Sequence, residues 1–300
     1  MKKILLSNKH LCEFGGSELV TVELAEHYAS LGYEVTLYSP KINVPLLPTI
    51  NRTNLKLTNE VPAQSELQEF DIVWSHHGLL LNQINSKNKS RHQIIVSNHM
   101  SSYVEDEFPT YDASLVDFIF ANSEETRSVL PERHRQKCRL FQNPSYIPAI
   151  EVGITYRNKP LALSITNHRP AELISAMIDY SDKIEFVFMG KGTEFYERID
   201  SDRLANIDPN FIICNGKTTQ AAFMAGIPVF LYDQFGGCGW LTESNFERAE
   251  QFNFSGRGFE QKADLKTLLD FDRVEPIKID ADRLKKFDLH TWLQHNGLLV

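Results

Sequence analysis

Cysteine is scarce and scattered. The four thiols stand at positions 12, 138, 214 and 238 and form no C-x-x-C pair, so neither a structural zinc site nor a dithiol redox motif is indicated. Free thiols fit a reducing cytoplasm. Long apolar runs are missing as well, since no stretch approaches the roughly 18 residues of a membrane span. The N-terminal MKKILLSN carries two lysines, but its apolar run is only Ile4, Leu5 and Leu6. That is too short for a signal peptide and reads as a buried strand. Positive charge is in deficit: 31 Lys and Arg face 39 Asp and Glu, a net charge of −8, which argues against a nucleic-acid surface. Several signatures are absent too. There is no G-x-G-x-x-G, no Walker A loop (Phe211 stands where its first glycine would), and no G-x-S-x-G elbow. The dinucleotide and hydrolase readings fall with them. Neither low-complexity sequence nor a short-period repeat occurs.

What is present is a globular chain, 42% hydrophobic and 23% charged, long enough for one large domain or two ordinary ones. Strand and helix signals alternate. KILLSN, YEVTLYSP, FDIVWSHH, HQIIVSNH, DFIFANS and KCRLFQNP read as strands of a first half. Between the first two lies a helix with Val20, Leu24, Tyr28 and Leu31 on one face, Ser17 as N-cap and Gly32 as C-cap. Ser123 caps a helix over EETRSVLPE. LALSIT, IEFVFMG, NFIICN and PVFLYD are strands of a second half, with helices over PAELISAMIDYS and TTQAAFMAG. FGGCGWLTESNFERAEQFNFSGRGF reads as a glycine- and aromatic-rich loop leading into a helix, and ADRLKKFDLHTWLQHNGLLV as one terminal helix that packs through Leu284, Phe287 and Trp292. Strands separated by helices predict parallel sheets covered on both faces. The expected organisation is a first α/β domain over 1–145, a proline-bearing linker over 146–159, a second α/β domain over 160–280, and a C-terminal helix over 281–300.

In open parallel sheets ligands bind at the carboxyl ends of the strands, and the candidate residues stand at such places. After the first strand, Gly15 and Gly16 let backbone approach a ligand before a helix start; a tight turn without ligand is the alternative. In CNGKTT, Gly216, Lys217, Thr218 and Thr219 open a helix suited to a phosphate through amides, hydroxyls and a cation; an ordinary helix start with a solvated lysine is the alternative. Arg169 could clamp a diphosphate with its planar fork, or be a surface arginine. Gly190 and Gly192 follow the next strand. His99, and less so His76 and His77, stand at strand ends where imidazole can bond a sugar hydroxyl or move a proton. The D-x-D triplets at Asp200/Asp202, Asp270/Asp272 and Asp280/Asp282 follow no apolar strand and read as surface carboxylates rather than a metal site.

Together these stretches resemble the GT-B glycosyltransferases, most closely the large family-4-like group. FGGSELVTVELAEHYASLGYEVTLYSP is similar to that group's opening: a Gly-Gly loop, an amphipathic helix and a Gly-x-x-Val-Thr strand. FQNPSY stands at the group's crossover between domains, and AAFMAGIPVFLYD resembles its Ala-Met-Ala-x-Gly-x-Pro-Val segment. The likeness spans nearly the whole chain but is specific only over 14–40 and 214–239. One departure stands out. Alignment on Gly226 and Pro228 places Ile213 and Ala221 where the group carries paired glutamates. The resemblance implies two Rossmann-like domains facing a central cleft, with a C-terminal helix crossing back to the first domain. It also implies transfer of a sugar from a nucleotide sugar on the second domain to a glycan or lipid-linked acceptor on the first, with His99 near the donor sugar. Retention of anomeric configuration is implied with it. So is catalysis without metal or cofactor, at the cytoplasmic side and compatible with attachment to the inner face of a membrane. A non-catalytic relative and a nucleotide-sugar epimerase of the same fold are the alternatives. No oligomeric state follows from the sequence.

Overall fold

The computed structural model describes all residues except 51–54, 86, 88, 105–107, 150–156 and 300. Much of the expected linker 146–159 therefore lies outside the described residues. The chain divides into two units, Met1–Gln142 and Asn143–Val300.

The first unit runs β1 (Lys3–Ser7), α1 (Gly16–Ser30), β2 (Glu34–Tyr38), α2 (Leu47–Ile50), β3 (Lys56–Thr58), α3 (Gln64–Leu67), β4 (Ile72–His76), β5 (Ile94–His99), β6 (Phe118–Ala121), α4 (Glu124–Val129), α5 (Glu132–Arg135) and β7 (Cys138–Leu140). Its seven strands are all parallel, in the order β3-β2-β1-β4-β5-β6-β7. Every residue of β4 is buried, as expected of a parallel strand covered on both faces. Trp74 anchors this core, stacked 5.7 Å from Phe120 and edge-on at 5.5 Å to Phe141. Such pairs are worth roughly 0.5–1.5 kcal/mol beyond area burial. Ser123 caps α4 as expected, accepting from the Thr126 amide at 3.1 Å. The N-cap of α1 is Gly15, not Ser17. This helix is buried on nearly every side, from Glu18 to Ala25, while Leu31 is exposed. The expected single apolar face is too narrow. The short, half-exposed β3 gave no apolar run to read.

The second unit runs β8 (Leu161–Ile165), α6 (Ala171–Asp179), β9 (Glu185–Met189), α7 (Ser201–Ile207), β10 (Phe211–Cys214), α8 (Lys217–Met224), β11 (Val229–Asp233), β12 (Gly236–Trp240), α9 (Phe246–Gln251), α10 (Ala281–Phe287) and α11 (Leu289–His295). The sheet order is β12-β11-β10-β8-β9. Phe223, Phe246, Phe254 and Phe287 form an aromatic group in its core, with Phe223 5.4, 5.5 and 5.0 Å from the other three.

Two readings need correction here. The glycine-rich stretch after Asp233 is not a loop: it doubles back as β12, antiparallel to β11. Glycine is required in it, because a side chain at Gly237 would collide with the Leu231 carbonyl oxygen. The terminal segment is two helices rather than one. Asp288 takes extended backbone (φ −86°, ψ 122°) and accepts from the Thr291 amide at 2.8 Å, so it ends one helix and caps the next. Beside this break Ser145 donates to the Phe287 carbonyl at 2.7 Å and accepts from the Leu289 amide at 2.9 Å.

Candidate functional site

Both sheets contain a point where the strand order reverses. In the first unit it lies between β1 and β4; in the second, between β8 and β10. The loops leaving adjacent strands at such a point diverge to opposite faces and leave a crevice at the carboxyl ends. Nearly all the residues singled out from the sequence stand at one of these two places.

In the second unit, Ile165 pairs with both Cys214 and Met189. The loops carrying Arg169, Gly190 and Gly216 therefore leave from neighbouring strands. Gly190 has φ +117°, and a Cβ there would stand 2.9 Å from the Thr166 carbonyl oxygen, so a side chain is excluded. The Arg169 guanidinium donates to the Met189 carbonyl and lies 5.5 Å above the Phe188 ring. Its Nε is buried with no hydrogen-bond partner among the described residues, and burial lowers its pKa. Gly216 has φ +56° and ψ −134° and hands the chain into α8. The first amides of that helix have no carbonyl within it to bond. Thr218 is half-exposed there, whereas Thr219 is buried with its hydroxyl 3.5 Å from the Cys214 sulfur.

Lys217 turns away from this edge. Its buried Nζ donates to the carbonyls of Asn143 (3.2 Å) and Pro144 (2.8 Å). Sequence reading also missed Asp233, the last residue of β11. Its buried carboxylate accepts from Asn215 Nδ2 at 3.0 Å, the Gly256 amide at 2.9 Å and the Phe235 amide at 2.7 Å. It ties three loops at one end of the sheet. Ile213 and Ala221, where the resembling group has acids, are buried apolar core residues. Of the acid triplets, Asp200 caps α7 and Asp280 caps α10, and Asp270 pairs with Arg273 at 3.3 Å.

The carboxyl end of the first sheet has a different chemistry. Gly15 precedes α1, and Gly16 is its exposed first residue. Glu18, unremarked in the sequence reading, folds back over this helix start. It bonds its own amide, accepts from Ser17 Oγ at 2.9 Å and pairs with His10 Nε2 at 3.1 Å. Burial raises its pKa, and the nearby His10 and His77 pull it partly back. The signal available in the sequence was an acid two residues beyond a Gly-Gly turn. His77 is buried and left-handed (φ +64°), and Gly78 after it is left-handed too (φ +65°). His76 contacts Asn98 Nδ2 at 3.3 Å; its Nε2 is buried without a hydrogen-bond partner among the described residues, and burial holds its pKa well below the ordinary value. His99 lies one strand further, its Nε2 3.1 Å from both Ser97 Oγ and Tyr111 Oη.

No protein-family model matches the chain, and no curated protein matches it. Solved structures do. The chain is similar to a glycosyltransferase from Rickettsia africae ESF-5, at 11% identity and a TM-score of 0.58 over 99% of this chain and 97% of that one. A sucrose-phosphate synthase from Thermosynechococcus elongatus aligns at 13% identity and a TM-score of 0.49 over 100% and 98%. A UDP-N-acetylglucosamine 2-epimerase aligns at 12% and 0.45 over 99% and 97%. The first likeness shows the fold. Two Rossmann-like α/β domains, the GT-B class expected from the sequence, are what the chain forms. Among the described residues, no helix is long and apolar enough to cross a membrane.

Proposed function

We propose that this protein transfers a sugar from a nucleotide-sugar donor to a hydroxyl-bearing glycan or lipid-linked acceptor. One observation carries the reading: the adjacent ends of β9, β8 and β10 gather an arginine whose buried Nε has no partner among the described residues, a glycine that admits no side chain, and the amide end of α8. That set suits a diphosphate. Transfer of a sugar leaves negative charge on the departing diphosphate, and preorganised donors there lower the barrier. In this reading Arg169, the amides opening at Gly216, and Thr218 supply the stabilisation, so that no metal ion or cofactor is required. Gly190 allows close approach, and Thr219 keeps the first turn of α8 packed. Lys217 acts by fixing α8 to the Asn143–Pro144 backbone. Gly15, Gly16 and His99 belong to the acceptor side. The work is cytoplasmic, where nucleotide sugars are made, and suits the inner face of a membrane if the acceptor is lipid-linked.

The test is a melting-shift screen with UDP, GDP, ADP and dTDP, followed by release of nucleoside diphosphate from the matching sugar donors. Stabilisation by one nucleotide, lost in Arg169→Ala, supports the site. If no nucleotide shifts the melting point, the donor site is not there. A second reading rests on Ile213 and Ala221, which fill with core hydrophobics the places of the resembling group's acids. It is a relative that binds nucleotide without turning it over. Stabilisation with no turnover in the presence of acceptor extracts selects it.

A further inference from the structure

The amino end of the first sheet, opposite the order-reversal loops, is hollow. A cavity of about 320 Å³ opens there between the starts of β1, β2 and β3 and the segment that runs through α3 to Phe70. Small-molecule sites begin at about this size. The strand register shows how it forms. Lys3 of β1 lies beside Glu34 of β2, and Thr36 of β2 lies beside Lys56 of β3. Side-chain alternation puts Glu34 and Thr36 on the same face of β2, and both line the cavity.

Thr36 points to a ligand. It is 3% exposed, and its hydroxyl has no hydrogen-bond partner among the described residues. A buried hydroxyl left unpaired is unfavourable, and valine fits such a strand position equally well. Around it the charges do not balance, since the lining holds two lysines and four glutamates. Lys3 is already paired with Glu69 at 2.9 Å, and Lys56 is exposed and can turn outward. Glu66 accepts from the Ala63 amide at 2.9 Å, whereas the carboxylates of Glu34 and Glu60 accept no hydrogen bond among the described residues. The negative field reaches Lys3, whose pKa is raised by Glu69 first and by Glu34 and Asp71 as well. The acids are also dispersed. Among the described residues, no three carboxylate, imidazole or thiol side chains come together as a metal ion requires. Val61, Pro62 and Phe70 supply an apolar wall. Separated anions beside an apolar wall match a ligand with separated cations on a methylene chain.

We propose that this cavity binds a linear aliphatic polyamine, its ammonium groups on Glu34, Glu60 and Glu66, its methylenes against Val61, Pro62 and Phe70, and one N–H donated to the Thr36 hydroxyl. The site lies wholly within the first unit and does not depend on the sugar-transfer reading.

The test is titration calorimetry on the full chain without nucleotide, using spermidine, putrescine, Mg²⁺ and the zwitterion β-alanine at about 0.1 M salt, where exposed charges more than about 10 Å apart are screened. Spermidine is expected to bind saturably at a single site, putrescine more weakly, and β-alanine not at all. The double variant Glu34→Gln, Glu60→Gln is expected to weaken spermidine about 3–10-fold. Thr36→Val keeps the shape of the cavity and is expected to weaken it about 3–10-fold as well. Its melting point without ligand should equal or exceed that of wild type, because the hydroxyl it removes has no partner. No spermidine binding, or a Kd unchanged in both variants, overturns the proposal. Displacement of spermidine by Mg²⁺ at matched ionic strength overturns it by showing a diffuse counterion effect, and β-alanine binding as tightly as spermidine overturns the assignment to a polycation. A melting point of Thr36→Val below that of wild type also overturns it, since the hydroxyl would then already be in use.

Discussion

The two order-reversal points share a topology and have opposite chemistry. In the first unit, the loops at the carboxyl ends of β1 and β4 carry a carboxylate and three imidazoles. In the second, the loops after β8, β9 and β10 carry a guanidinium, a side-chain-free turn and the start of a helix. One end is suited to move a proton and the other to hold an anion. The fold decides where side chains are presented; the loops decide what they do. Two cations teach the same lesson from within one unit. Arg169 keeps a nitrogen without a partner among the described residues, whereas Lys217, at the neighbouring strand end, is committed to backbone carbonyls.

The sharpest way to break this contrast is Arg169→Ala. Hydrogen bonds to charged groups contribute about 1.5–3 kcal/mol, so nucleoside-diphosphate affinity is expected to fall by about 10–100-fold in a titration calorimetry series. An unchanged Kd would remove the anion-binding assignment from this edge. Next is Gly190→Ala. Its Cβ would press on the Thr166 carbonyl at a left-handed φ, a strain of about 1–3 kcal/mol. A lower Tm is expected, with weaker nucleotide binding, and wild-type values for both would refute the tight turn. Lys217→Met tests whether the lysine is structural. It leaves two buried carbonyls unpaired, which costs about 1–3 kcal/mol, and should lower the denaturant midpoint while weakening nucleotide binding less than Arg169→Ala does. The opposite ranking would put Lys217 on the ligand.

The smallest expected effect concerns pH. The Glu18 carboxyl has its pKa raised above the ordinary 4.5 by burial. The native state therefore holds its proton where the unfolded chain has released it, and stability is lost as pH rises from about 4.5 toward the native value. Glu18→Gln removes that loss. Wild type and variant should differ least near pH 4, with the variant gaining relative stability by pH 7. A difference that shrinks with rising pH would contradict the burial of this acid.

Much of the fold was legible because apolar periodicity follows the sheet: LALSIT and PVFLYD, fully buried strands, have no polar face to confuse the reading. β12 escaped because Gly237 answers to a collision with Leu231 on another strand, not to any local preference. Asp288 escaped because one residue both stops and starts a helix. Strand-end position was the signal that singled out Arg169 and Gly190 as candidates. The aim of Lys217 was not legible, since its acceptors are 73 and 74 positions away in sequence. Glu18 hid within a helix whose composition suggested an apolar face and nothing more.

Ser145 and the break at Asp288 have a further consequence. By gripping Phe287 and Leu289 through its own amide and carbonyl, Ser145 fastens the opening of the second unit to its close, as a buckle joins two ends of a belt. Trimming the chain before residue 287 would remove both the catch and the Phe287 ring from the aromatic group. The earliest residues of that unit, Asn143 and Pro144 among them, would then lose their anchor on this side, and the lysine that leans on them would lose its footing.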